Sequence, residues 1–148
     1  MTGYVVDASV AVKWLVSETH SDDAAGLLDG GSTLVAPALV FAEATNALWA
    51  MHRRGDIDAD DLADAVHTLQ AAPLSVPVSM ALLAPAAARL AADLDHPAYD
   101  CFYLALAIQT QYPVVTADIR FHDRVRGHPY LADCILPVAQ AVARAGPS

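Results

Sequence analysis

The chain has 148 residues, 55% hydrophobic and 17% charged, with 17 acidic against 8 basic side chains and a formal charge of −9. That length and composition suit one compact domain over residues 1–148 and exclude a disordered chain. No apolar run reaches the roughly 18 residues a membrane-spanning helix needs, and Asp7 and Lys13 interrupt the only apolar stretch near the start, so neither a membrane segment nor a signal peptide is expected and the reading is cytoplasmic.

Residues 4–6 (Tyr4-Val5-Val6) predict a strand, and residues 9–16 and 20–29 predict helices, the second ending at Gly30-Gly31. A second strand at 34–36 is closed by Pro37. A long helix over 39–54 carries Arg53 and Arg54 at its end, where a helix favours positive charge, and stops at Gly55. Asp56, Asp58, Asp60, Asp61 and Asp64 crowd the start of a helix over 59–71, which reads as capping and favourable dipole charge. Residues 75–78 form a weaker strand, confined to an edge by Pro77. Helices over 82–94 and 100–111 follow, then a buried strand at 113–116, a short helix at 119–126, a last strand at 135–136 and a short helical tail. Strands alternating with helices predict an α/β fold with a mostly parallel sheet of about five short strands, flanked by helices and covered on both faces. Cys101 and Cys134 lie far apart without a CxxC pair and read as reduced core residues.

The charge poses a conflict for any nucleic-acid reading, because proteins that grip phosphates nonspecifically are usually basic. Position resolves it. Asp7 directly follows the first strand, and Asp118 follows the strand that ends at Thr116. Glu43 lies in the first turns of the helix after the second strand, with Asn46 three residues on along the same face. Asp100 opens the helix that follows His96-Pro97. Acids after parallel strands, or at the starts of the helices that follow them, emerge at one edge of the sheet, where α/β proteins collect their function. Each of Asp7, Asp100 and Asp118 alone could be an N-cap, and Glu43 alone a solvated helix residue. Together they predict one acidic pocket.

Crowded carboxylates repel one another and take up protons unless a cation neutralises them. An all-oxygen donor set suits Mg²⁺, with Mn²⁺ as a substitute, rather than zinc. Ser9 and Thr116 are placed to orient carboxylates or waters, or simply to cap. A cation so held can acidify water and neutralise phosphate oxygens, the requirements of phosphodiester hydrolysis. Arg120 and Arg124, in a segment shared with Arg126, are candidate RNA phosphate contacts. Asp123 is a further nearby acid that could join the site, with a surface partnership to Arg120 or Arg124 as the favoured reading.

The runs Val5-Val6-Asp7-Ala8-Ser9, Pro37 to Leu48 around Glu43, Tyr99-Asp100-Cys101-Phe102-Tyr103, and Thr116-Ala117-Asp118-Ile119-Arg120-Phe121 resemble, in order and spacing, the four motifs of PIN domains, and in length the VapC-type toxins of bacterial toxin–antitoxin pairs. The resemblance implies a three-layer PIN-like fold and a Mg²⁺- or Mn²⁺-dependent endoribonuclease. Asp7, Glu43, Asp100 and Asp118 would be the catalytic metal ligands, with Asn46 and Thr116 in support. The implied partners are a cognate VapB-like antitoxin and RNA, with a homodimer or toxin–antitoxin hetero-oligomer as the assembly. Two alternatives share the fold: a nuclease acting on DNA, and a catalytically silent PIN-like binding module.

Other acidic α/β classes fail on single residues. A phosphorylated receiver domain needs a late lysine, and the only lysine is Lys13. A haloacid-dehalogenase-type phosphatase needs a second Asp two residues after the first, where Ser9 stands. No nucleophile sits on a Gly-flanked turn, and His122 and His128 are poorly placed for a base.

Overall fold

The computed structural model describes residues 2–144. Four strands, β1 (Gly3–Val6), β2 (Thr33–Val35), β3 (Val114–Thr116) and β4 (Ile135–Pro137), pair in parallel in the order β2–β1–β3–β4. All residues of β1 and β3 are buried. Successive side chains leave a strand on opposite faces, so burial throughout means that helices cover both sides, which gives three layers.

The edge strand expected at 75–78 is reduced to one rung. Ser75 N donates to Leu34 O (3.0 Å), and Ala36 N donates to Ser75 O (3.0 Å). The next parallel rung would need an N–H at position 77, and Pro77 has none. The sheet therefore has four strands among the described residues rather than about five.

The helices are α1 (Ala8–Ala11), α2 (Ser21–Asp29), α3 (Leu39–Arg53), α4 (Ala59–Gln70), α5 (Met80–Leu94), α6 (Ala98–Thr110), α7 (Ile119–Arg126) and α8 (Val138–Arg144). The helix expected over 9–16 is only one turn of α1 followed by a 3₁₀ turn at Val12–Trp14. α3 ends where Gly55 takes φ 84°, a left-handed conformation that glycine adopts without steric cost. α4 begins on the expected acidic cap: Asp58 Oδ1 accepts from Asp61 N (2.7 Å), and Asp61 Oδ2 accepts from Asp58 N (3.3 Å). α6 starts at Ala98, two residues earlier than expected, so Asp100 lies within its first turn.

α6 buries Cys101, Tyr103, Leu104, Ala105, Leu106 and Ala107, nearly its whole circumference, and packs against β1 and β3. An all-round apolar helix is a buried one. Both cysteines are free thiols, Cys101 buried and Cys134 partly so. No helix among the described residues is long and apolar enough to cross a membrane.

The strand order decides where a site can form. From β1 the chain crosses to β2 on one side, then returns through α3–α6 to β3 on the other. The crevice past the carboxyl ends of β1 and β3 is the switch point, where open parallel sheets bind ligands.

Candidate active site

Asp7 is the first residue past β1, and Asp118 the second past β3. Glu43 stands in the second turn of α3, and Asp100 in the first turn of α6. All four line one open hollow of about 390 Å³, together with Ala8, Ser9, Val12, Lys13, Glu18, Ala47, Met51 and Ala117. Two larger hollows flank it and share residues with it: one of about 610 Å³ through Glu18 and Met51, one of about 470 Å³ through Lys13 and Asp118. Size does not select the site. The central hollow alone gathers the four acids.

Asp7 occupies the N-cap position of α1 but makes no side-chain cap bond. Its Oδ2 instead accepts from Ser9 Oγ (2.7 Å) and Thr116 Oγ1 (2.8 Å). Those hydroxyls in turn accept from Ala117 N (3.0 Å) and Asp118 N (3.0 Å). Each hydroxyl proton is thus aimed at Asp7, and the backbone between β3 and α7 holds the hydroxyls in place. Asp118 does cap α7, its Oδ1 accepting from Arg120 N (3.0 Å) and Phe121 N (3.2 Å). Tyr103 OH donates to Glu43 Oε1 (2.6 Å). His96 Nε2 donates to Asp100 Oδ2 (2.6 Å), its ring stacked on Phe121 at 5.3 Å.

Burial lifts the Asp7 carboxyl from the ordinary 3.8 to about 6. The Ser9 and Thr116 bonds oppose the rise, while the charges of Asp100 and Glu43 add to it. Glu43 is also raised, by burial and by Asp100, against the Tyr103 bond. The Tyr103 hydroxyl is pushed far above its usual range by burial and by Asp7 and Glu43, so it remains a donor. Asp7, Glu43 and Asp100 therefore feel one another across the hollow.

Among the described residues, no three His, Cys, Asp or Glu side chains stand close enough together to form a ready-made metal cage. Each carboxylate is turned to a protein partner instead. The donor set nonetheless fits a hard cation. In all four acids the hydrogen bonds made with described residues fall on a single oxygen, and the other oxygen takes none from them. Mg²⁺ binds through one or two carboxylates and keeps several waters, which an open hollow accommodates.

Ser9 and Thr116 thus serve Asp7. Asn46 is exposed and outside the hollow; Ala47 and Met51, four and eight residues past Glu43, line it instead. Arg120 and Arg124 are exposed on one face of α7 without a side-chain partner among the described residues, whereas Arg126 is spent on Ala132 O (3.2 Å). Asp123 lies outside the hollow and pairs with His122 (3.0 Å), not with an arginine. Four residues of the site were not singled out from sequence: His96, Tyr103, Lys13 and Glu18. The usable signals were a tyrosine in an apolar helix, whose hydroxyl must find a partner when buried, and the lone lysine.

These features are those of a known family. The PIN domain family matches residues 4–127. The chain belongs to the PIN domain family. PIN domains are generally nucleases, and PIN nucleases typically use a divalent metal. Among solved structures the fold is similar to PAE2754 from Pyrobaculum aerophilum (TM-score 0.72, 21% identity, covering 97% of this chain and 89% of that one). It is also similar to a toxin–antitoxin complex from Klebsiella pneumoniae (0.64, 11%, 91% and 97%). A third likeness is to VapBC2 from Rickettsia felis, bound to a DNA fragment from its promoter (0.62, 16%, 92% and 98%). At these identities the likeness is one of fold. No functionally curated protein matches the chain.

Proposed function

We propose that this PIN domain is the toxin of a type II toxin–antitoxin pair, a Mg²⁺- or Mn²⁺-dependent endoribonuclease of the cytoplasm with Asp7, Glu43, Asp100 and Asp118 as metal ligands. The observation that carries the reading is that four carboxylates from four separate segments line one hollow at the β1/β3 switch point, each with one oxygen unspent among the described residues. A bound divalent cation would supply positive charge for phosphate oxygens and acidify an attacking water. The residues of the chain do the rest. Ser9 and Thr116 fix the Asp7 carboxylate, Tyr103 and His96 hold Glu43 and Asp100, and Arg120 and Arg124 offer phosphate contacts beside the hollow. The likeness to the Klebsiella pneumoniae and Rickettsia felis assemblies supports an antitoxin partner. So do the half-exposed Leu28 and Trp49 on α2 and α3, apolar groups that an antitoxin segment or a second copy in a homodimer would cover.

The test is cleavage of labelled RNA by the purified chain with Mg²⁺, Mn²⁺ or EDTA, with and without the product of the neighbouring gene. Metal-dependent cutting that EDTA and the neighbour both suppress is the expected result. Cutting of DNA but not RNA would replace the substrate, and no metal-dependent cutting of either would leave a binding module. Cutting undiminished in EDTA would overturn the metal chemistry.

A further inference from the structure

Lys13 is the only lysine in the chain, and it lines the carboxylate hollow and the neighbouring hollow beyond Asp118. Five acids, Asp7, Glu18, Glu43, Asp100 and Asp118, line the central hollow, and among the described residues Lys13 is the one cation lining it. The side chain is only 9% exposed. Its Nζ donates to Glu18 Oε1 (3.1 Å) and Thr19 O (2.6 Å). An ammonium has three hydrogens, and no acceptor among the described residues takes the third. The backbone beneath it is fixed: Val12 is buried, and Trp14 Nε1 donates to Ala24 O (2.7 Å) in α2.

We infer that Lys13 is a substrate-binding residue, the phosphate anchor of the cleavage hollow, contacting a non-bridging phosphate oxygen of single-stranded RNA laid across Asp7 and Asp118. The inference rests on the nuclease reading above and assigns that site its own cation. A polyanion entering a hollow lined by five acids meets net repulsion, which Lys13 alone among the described lining residues offsets. A compact ammonium lining the hollow, with one hydrogen unspent among the described residues, is suited to bind phosphate as a point charge. Glu18 and Thr19 fix two of the ammonium's three hydrogens.

A purely structural role must be separated from this. Lys13 also ties Glu18 and Thr19, in the loop that follows, back to the 3₁₀ turn, and loss of such a staple would show as a lower melting temperature in Lys13→Met and an unchanged salt slope. The experiment measures binding of a short fluorescent single-stranded RNA with Ca²⁺ in place of Mg²⁺, over a salt series, for wild type, Lys13→Met, Lys13→Arg and Glu18→Gln, with melting curves as a folding check. Phosphate anchoring expects Lys13→Met to weaken binding roughly ten-fold and to flatten the salt slope by about 0.7, one single-strand phosphate contact. Lys13→Arg restores most of both. Glu18→Gln binds more tightly, because an acid leaves the hollow while the lysine stays. In Mg²⁺, Lys13→Met raises KM more than it lowers kcat. Wild-type affinity and salt slope in Lys13→Met would overturn the inference, as would parallel losses in Lys13→Met and Glu18→Gln. Failure of the nuclease reading looks different: wild type binds RNA with the Lys13-dependent slope but does not cut it in Mg²⁺. Absence of RNA binding by wild type would overturn both.

Discussion

The chain gathers acids in two places, and the two behave differently. The segment 56–64 holds five aspartates within nine positions, all exposed. There Asp58 and Asp61 close the cap of α4, and Asp56 pairs with Arg54. Asp7, Glu43, Asp100 and Asp118 are spread over more than a hundred positions, yet share one hollow, and Asp7 is only 4% exposed. Acids that are neighbours in sequence can separate into water and serve the helix they start. Acids brought together by strand order cannot separate without undoing the sheet, so the repulsion among Asp7, Glu43 and Asp100 is held in the fold. The difference between the clusters is therefore testable by making the same substitution in each.

The largest contrast is Asp7→Asn against Asp58→Asn. Asn caps about as well as Asp, so Asp58→Asn is expected to change stability by a few tenths of a kcal/mol and leave RNA cleavage intact. Asp7→Asn is expected to lower cleavage by more than about a hundred-fold, since even the outer partners of metal ligands are worth roughly 10- to 100-fold. It should also stabilise the metal-free protein. The Asp7 carboxyl is raised from 3.8 to about 6, so the folded state binds more protons than the unfolded one between those values. The sign follows: the Asp7 contribution is fully present below pH 4 and lost as pH rises through about 6. Near neutral pH the burial of the Asp7 charge costs up to roughly 3 kcal/mol, at 1.36 kcal/mol per pH unit. Melting curves in EDTA across pH 4–8 should show wild type losing stability over that window and Asp7→Asn losing less of it. Added Mg²⁺ should stabilise wild type and scarcely shift the mutant. Identical curves for the two proteins would remove the distinction between the clusters.

A smaller effect is expected one step back from the acids. Tyr103→Phe removes the donor to Glu43 Oε1 and leaves a partly buried carboxylate one bond short, at a cost of about 1–3 kcal/mol. Cleavage should fall roughly 10- to 100-fold, with a higher Mg²⁺ requirement. The helix cap has no such dependence: Asp58→Ala should cost about 1 kcal/mol with cleavage per folded molecule unchanged. A Tyr103→Phe protein with the wild-type Mg²⁺ requirement would make Tyr103 a packing residue only.

Much of this comparison was legible in the residues alone, because strand ends and helix starts are marked by local chemistry. Val5-Val6-Asp7 and Val114-Val115-Thr116 fixed two strands and the edge where Asp7 and Asp118 emerge. Asp58 and Asp61 announced their cap. What was not legible depends on geometry beyond one element. Pro77 removed the N–H of a second rung, which matters only once the register against Ala36 is known. Asn46 and Ala47 differ by one position on α3, and only the docked angle of that helix puts Ala47 on the hollow. Asp100 and Asp118 could each have been only a cap by sequence; Asp118 caps α7 and lines the hollow at once, a dual use that spacing cannot reveal. The pairing of Asp123 with His122 rather than an arginine is a rotamer choice at the surface.

The smallest expected effect tests whether the exposed acids are as inert as their solvation implies. The Asp56–Arg54 pair has N···O 3.1 Å, with side chains 58% and 61% exposed. Exposed pairs of this kind contribute about 0–1 kcal/mol and are weakened by salt. Asp56→Asn should therefore shift stability by less than about 0.5 kcal/mol and leave Mg²⁺ dependence unchanged. It also removes one negative charge from a chain at −9. At low ionic strength that makes RNA approach slightly faster, as would neutralising any acid on the surface. At 0.15 M salt the Debye length is about 8 Å and that general benefit fades. The comparison should accordingly be made at both ionic strengths. A gain in RNA affinity that vanishes with salt leaves Asp56 a solvated charge. A change in cleavage that persists at 0.15 M would make the 56–64 segment part of the substrate surface and erase the line between the two clusters.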